Sequence, residues 1–443
     1  MKTPIYDFVK DYAASGTVRL HMPGHKGNGP LGCEAFDITE IVGADVLYSA
    51  DGIIAESENN ASELFGSAHT FFSTEGSSLC IKAMLALVTA NTPSGQRRVI
   101  AARNVHKAFV YAAALLDLDV DWLYPDSSEH LCVCKIGADE VKKALDSADS
   151  LPCAVYITSP DYLGNLADIR EISEVCDKYG VPLIVDNAHG AYLGFLDTSL
   201  HPLDLGASMC CDSAHKTLPV LTGGAYLHIA KKAERFVENA RNTLAVFAST
   251  SPSYLTLSSL DLCNAYIADE YSQKLATLVN KLEKIKLELV NMGMTVYGDE
   301  PLKLTLNACD IGYSGVQLAQ HLREQGIECE FADDEFVVLM ASVQNTDAEL
   351  DSVVLSLKKL EKRTPIKTKR APICKCERAM SIRKATFCTA EAVNIANAVG
   401  RVCATPTVSC PPAVPIIVSG EIITDAAARL LGTYGVLAVD VVK

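Results

Sequence analysis

Apolar residues along this chain fall into two rhythms. Short apolar runs at Arg98 to Ala102 and Ala154 to Ser159 read as strands, and the run from Val181 stops at Asp186, as strands buried on both faces do. Other segments carry apolar residues at helical spacing: Ile5, Phe8, Val9 and Tyr12 within Pro4 to Ser15, and Ile169, Ile172, Val175 and Cys176 within Asp168 to Tyr179. Further helices are predicted from Lys107 through Leu116, over Ala138 to Leu145, around Ala233 to Asn242 and, as one long element, over Tyr266 to Met292. The alternation of strand and helix predicts an α/β fold with a mostly parallel, doubly wound sheet and right-handed crossovers.

Beyond the long helix, strands at Leu302 to Asn307 and Phe336 to Met340 flank a helix over Gly315 to Gln325 that stops at Gly326, which predicts a smaller α/β domain. The basic stretch Lys358 to Lys375 reads as a linker. The expected divisions are an N-terminal segment (1–55), a large domain (56–290), a small α/β domain (291–362) and a linker with a C-terminal domain (363–443).

The chemistry gathers at strand ends, where ligands sit in open α/β sheets. One strand ends at Asp186; the next, over Ser208 to Cys211, is followed by Ser213, His215 and Lys216. A partly desolvated lysine forms Schiff bases, and an aspartate keeps a pyridine nitrogen protonated, so the pair suits pyridoxal 5'-phosphate. Upstream, Gly76, Ser77 and Ser78 stand between a strand and an apolar helix. Backbone N–H groups and hydroxyls converge there on the positive end of the helix dipole, which predicts a phosphate cradle. Pro and Gly around His21, His25 and Lys26 display those side chains on a loop.

Composition narrows the function. Hydrophobic residues at 49% and charged residues at 21% of 443 describe a chain with a large core, and a formal net charge of -15 excludes the basic surface that nucleic acid or an anionic membrane requires. No apolar run is long enough to span a bilayer, and the opening MKTPIYDFVKDYAASG lacks the pattern of a signal peptide, so a cytoplasmic protein is expected. Its 16 cysteines lie mostly in apolar segments, as at Cys80, Cys153, Cys210 and Cys211, and are expected to be reduced. Cys132-Val-Cys134 and Cys374-Lys-Cys376 lack partners at zinc spacing, so no metal is expected.

Asp186-Asn-Ala-His-Gly and Ser213-Ala-His-Lys-Thr-Leu resemble the cofactor motifs of the pyridoxal-phosphate-dependent ornithine/lysine/arginine decarboxylase family, of fold type I (aspartate-aminotransferase-like). Arg19 to Asn28 with its PGHK loop, Asp37 to Gly66, Arg103-Asn-Val-His-Lys107, the loop Thr158 to Gly164 and Phe247 to Leu255 resemble the family in order along nearly the whole chain. The resemblance implies a Schiff base on Lys216, Asp186 at the pyridine nitrogen, His106 stacked on the ring with His189 near it, and Ser213 and His215 near the phosphate. It also implies that Gly223 to Ile229 is an antiparallel strand. A homo-oligomer, dimeric or larger, is implied, in which Thr250 and Ser251 reach the neighbouring subunit's cofactor.

The activity implied is removal of the α-carboxylate of arginine, lysine or ornithine, giving a polyamine or its precursor. An aminotransferase or β-eliminating lyase on the same fold stays open, as does a non-catalytic regulatory or assembly subunit. Three positions depart from the family pattern: Asn187 stands where glutamate is usual, Cys410 where tyrosine is and Ala413 where glycine is. The distal cation of a basic substrate needs a carboxylate, and Glu421, expected on a loop after a Pro-rich stretch, is the candidate, with Glu328, Glu330, Asp333 and Asp334 behind it.

Overall fold

The computed structural model describes residues 1–92, 96–125, 130–367, 373–406 and 413–443. It divides into two compact units, Met1–Gln96 with Cys176–Lys274, and Arg97–Val175 with Leu275–Lys443.

In the first unit four strands stand in the order His69–Ser73, Ala225–Ile229, Met209–Asp212, Leu183–Asp186. The last two are parallel, with Asp186 opposite Cys211; Ala225–Ile229 runs antiparallel to both of its neighbours, as expected. These runs are buried along nearly their whole length, which explains why they read as continuous apolar stretches and not as alternations. The helix Ser77–Ala90 packs on all four of these strands and on the helix Val237–Phe247. The amphipathic helix Pro4–Ala14 buries Ile5 and Val9 and lies against Tyr254–Tyr266. Its first amides are capped from that helix: Asp261 accepts from the N–H groups of Ile5 and Tyr6, each at 2.9 Å, and from the Ser57 hydroxyl at 2.5 Å. Burial pushes the Asp261 carboxyl up to about 6, against the lowering effect of these donors.

The second unit contains three parallel strands, Asp119–Leu123, Arg98–Ala102 and Ala154–Thr158 in that order. A four-stranded antiparallel sheet is built from Phe331–Ala332, Phe336–Met340, Lys303–Asn307 and Val296–Tyr297, with the helix Gly315–Glu324 against it. A C-terminal portion pairs Ala390–Asn394 with Ala438–Val442 around a core that includes Ile416, Ile417, Ile423 and Leu431.

Several helices differ from the sequence expectation, two of them instructively. The long helix begins not at Tyr266 but at Tyr254, where the Ser253 hydroxyl caps it by accepting from Thr256 N–H, and it runs through a π-helical turn at Ile267–Tyr271 to Asn291. Tyr254–Tyr266 is buried on most sides, so no apolar stripe marks it. The helix Asp347–Lys358 was not anticipated, although Thr346 and Glu349 form a capping box that the sequence spells out.

Candidate active site

In the first unit the carboxyl ends of three strands come to one edge of the sheet: Ser73, which pairs with Ala225, Asp212, which pairs with Tyr226, and Asp186 beside Cys211. The segments that follow these ends hold most of the residues expected to act. Gly76 precedes the helix Ser77–Ala90 with a φ of 72°, and no side chain caps that helix. An uncapped helix start of this kind has the backbone N–H groups that an anion would need. Ser77 and Ser213 hydroxyls meet at 2.8 Å, which draws the cradle and the lysine segment together. Gly76 N–H also donates to Gly223 carbonyl at 2.7 Å, and a Cβ on Gly223 would lie 2.7 Å from the carbonyl oxygen of Thr74.

Lys216 lies in the one-turn helix Ala214–Thr217, and its Nζ is 3.0 Å from Nε2 of His189. Asp186, three residues before His189, is buried, accepts from Ala188 N–H at 3.2 Å and lies 3.8 Å from the Cys211 thiol. His215 Nδ1 is 3.0 Å from the carbonyl oxygen of Gly224, and burial pulls its pKa below the ordinary histidine value. Thr217 Oγ1 is buried with no hydrogen-bond partner among the described residues, as expected of a hydroxyl that serves a polar ligand. A paired hydroxyl and amide cradle, an acid and an amine at one sheet edge fit pyridoxal phosphate in donor set and charge. Thr250 and Ser251 are exposed between two helices, and the neighbouring Ser249 N–H donates to Glu75 at 2.6 Å.

The second unit holds His106 and Glu421. His106 caps the helix Lys107–Leu116, its Nδ1 accepting from Ala108 N–H at 3.1 Å. Glu421 is 4% exposed. Its carboxylate accepts from Val418 N–H at 2.8 Å and lies 3.3 Å from Nη2 of the fully buried Arg103, which also donates to the carbonyls of Pro415 (2.7 Å) and Ile416 (3.3 Å) and sits over the Trp122 ring. The expectation that Glu421 presents a carboxylate for substrate is therefore corrected. A guanidinium in the same protein already neutralises it, because an isolated charge at that depth is too costly. Of the other acids, Glu328 pairs with Arg323, Glu330 accepts from the Tyr162 hydroxyl at 2.7 Å and Asp333 contacts His130 at 2.7 Å, whereas Asp334 is exposed.

The family model for the major domain of Orn/Lys/Arg decarboxylases matches residues 3–302, and that for their C-terminal domain matches residues 366–435. The chain belongs to the Orn/Lys/Arg decarboxylase family. Arginine decarboxylases of Bacillus anthracis and Halalkalibacterium halodurans are 27% and 29% identical to it, each over 96% of this chain and over 91% and 92% of their own length. In fold it resembles the lysine decarboxylase LdcF of Francisella novicida (TM-score 0.82, 17% identity, 100% of this chain and 81% of the other). The constitutive lysine decarboxylase of E. coli is similar (TM-score 0.78, 17% identity, 100% and 82%). The fold is thus the α/β, type-I arrangement that the motifs implied, and the reaction class is decarboxylation of a basic amino acid.

Against the family pattern, Cys410 falls outside the described residues, while Ala413 adopts a left-handed φ of 57° that explains why glycine is usual there. Asn187 is fully buried and donates from Nδ2 to Asp212 at 2.7 Å, a contact a glutamate would turn into a clash of carboxylates. Sequence reasoning gave no separate role to Arg103 or Asp212. Arg103 directly follows an apolar strand and Asp212 ends one, and a charged residue in such a position was the available signal.

Proposed function

We propose that the protein binds pyridoxal 5'-phosphate at the strand ends of its first unit and decarboxylates arginine to agmatine, a polyamine precursor, with lysine and ornithine as weaker substrates. The observation that carries this reading is the approach of Lys216 Nζ to His189, in the turn that opens with Asp186, beside a helix start whose Ser77 is bonded to Ser213. When bound, the cofactor supplies an electron sink for the pair left as carbon dioxide departs. Lys216 provides the amine that holds the aldehyde and is displaced by substrate, and His189 keeps that amine in place. Asp186 holds the proton on the pyridine nitrogen. Gly76, Ser77, Ser78 and Ser213 receive the phosphate, with His215 beside it. The family resemblance supports His106 at the ring face and Thr250 and Ser251 as contributors from a second copy.

Arginine is favoured because the curated relatives named arginine decarboxylase align with nearly the whole chain, whereas the lysine decarboxylase LdcA of Pseudomonas aeruginosa aligns over 59% of it. Two further features support the setting. Val18, Leu20, Met22, Leu31 and Val42 are strongly exposed, which favours a homo-oligomer that covers them. No described cysteine is in a disulfide, and no described helix is long and apolar enough to cross a membrane, in keeping with a reducing, cytoplasmic location. Product analysis after incubation with arginine, lysine and ornithine in turn tests the proposal. Agmatine formed fastest is expected; a keto acid or an elimination product would favour the rival chemistries, and no turnover of any of the three would overturn the assignment.

A further inference from the structure

The polar cluster around Asp212 takes no part in the reading above. Asp212 ends the strand Met209–Asp212 and is fully buried. Its Oδ2 is 3.1 Å from Nε2 of His201 and 3.1 Å from Nε2 of His228, and its Oδ1 accepts from Asn187 Nδ2 at 2.7 Å. His228 Nδ1 is in turn 2.8 Å from the Thr70 hydroxyl, which meets that of Ser67 at 2.9 Å. Asn187, His201 and His228 are each no more than 1% exposed. Burial alone would favour the neutral acid, but the two imidazoles outweigh it and hold the Asp212 carboxyl far below the usual range. Burial lowers the pKa of His228.

Thr70, His228 and Asp212 stand on strands of one sheet, and His201 on the loop that follows Leu193–Phe195. Asn187 follows Asp186 directly, and Asp212 directly precedes Ser213 on the segment that ends at Lys216. We infer that Asp212 is a positioning residue: through Asn187 on one side and its own strand end on the other, it sets the carboxylate of Asp186 against the amine of Lys216. The inference rests on the roles given to those two residues. Three contacts hold the Asp212 carboxylate, while Asn187 Oδ1 has no hydrogen-bond partner among the described residues. A buried carboxylate held in this way is rigid, and rigidity is what a proton-holding acid and a covalent amine require of each other. His201 Nε2, the Cys210 thiol and the Asp212 carboxylate also lie within 4.8 Å of one another, a grouping that could hold a metal. The hydrogen bonds account for both imidazoles and the carboxylate with no ion.

The test uses the holoenzyme and three variants: Asp212→Asn, Asn187→Ala, and the exchange Asn187→Asp with Asp212→Asn. Asp212→Asn and Asn187→Ala should each lower kcat about ten- to hundredfold with KM for arginine nearly unchanged, since displacement of reacting groups by about 1 Å costs that much. Both should also shift the pH at which the visible absorption band of the bound cofactor titrates. The exchange restores a carboxylate and amide across the same contact and should recover part of kcat and of the band's titration. Should Asp212→Asn fail to fold, Asn187→Ala decides, because it cuts the link and leaves Asp212 and both histidines in place. Unchanged kcat and band titration in Asn187→Ala would overturn the inference. So would a fall in melting temperature alone, or stoichiometric metal in the purified enzyme that is lost on Asp212→Asn. Failure of the underlying reading looks different: the unmutated protein would then show no cofactor band, or Lys216→Ala would retain one.

Discussion

Lys216 Nζ lies 3.0 Å from His189 Nε2, a nitrogen carried by the turn that begins at Asp186. The amine thus already contacts the segment that bears the acid, and their spacing is set inside one unit by the parallel pairing of Asp186 with Cys211.

Replacing that amine gives the first expectation. Lys216→Ala should lose both turnover and the visible band of bound cofactor, because among the described residues that directly follow these strand ends Lys216 is the lysine available for a Schiff base. Borohydride reduction followed by peptide mapping checks it, and cofactor trapped on a different lysine would refute the assignment.

Asp186→Ala should divide differently. On the proposed reading Ser77, Ser213 and the start of the helix Ser77–Ala90 would anchor the phosphate and remain intact, so cofactor affinity should fall by much less than kcat. Measuring the two separately decides the matter; a variant with near-normal kcat would remove Asp186 from the chemistry.

Glu421 is expected to matter for folding and not for substrate affinity. Glu421→Ala leaves the Arg103 guanidinium buried beside two carbonyls with no counter-charge, a loss on the order of 3 kcal/mol. Chemical denaturation should record that loss while KM for arginine stays put. A raised KM at unchanged stability would restore Glu421 to the substrate pocket.

Ala413 carries a φ of 57°, a conformation that costs a side-chain-bearing residue about 1 kcal/mol or more. Ala413→Gly relieves the strain and loosens the unfolded chain as well, so a net gain of about 0.5 kcal/mol is expected. A rise in melting temperature checks it; a fall would mean that the buried methyl contributes more than the strain removes.

Asp261 ties stability to pH. Its folded-state pKa of about 6 lies above the ordinary 3.8, so between those values the folded protein holds more protons than the unfolded chain and stability declines as pH rises. Asp261→Asn lacks that titration. The melting temperature of the wild type relative to the variant should therefore drop from about pH 4 to about pH 7 and then level off. A constant difference across that range would contradict the raised carboxyl.

The strands Arg98–Ala102 and Phe336–Met340 were legible to the residue because each is a buried apolar run with polar punctuation. The placement of Lys216, Asp186 and the Gly76-Ser77-Ser78 turn at or just beyond strand ends was legible because each closes or follows a buried apolar run. What stayed hidden has a common cause. Arg103 and Glu421 are 318 positions apart, and Asp261 caps a helix 256 positions away, so neither contact leaves a local pattern. The helix Tyr254–Tyr266 was missed for the opposite reason: burial on most sides erases the stripe by which helices are read.

The bond from Gly76 N–H to Gly223 carbonyl, with Thr74 oxygen crowding the space where a Cβ on Gly223 would go, constrains more than one turn. In a saturation library of this gene, a side chain at Gly223 would push on the loop that leads into the Ser77–Ala90 helix. Tolerance at two distant stretches of the chain should therefore rise and fall together. For anyone reshaping this enzyme toward another amino acid, the loop before Ser77–Ala90 and the loop before Ala225–Ile229 are a single module, to be exchanged whole or left alone.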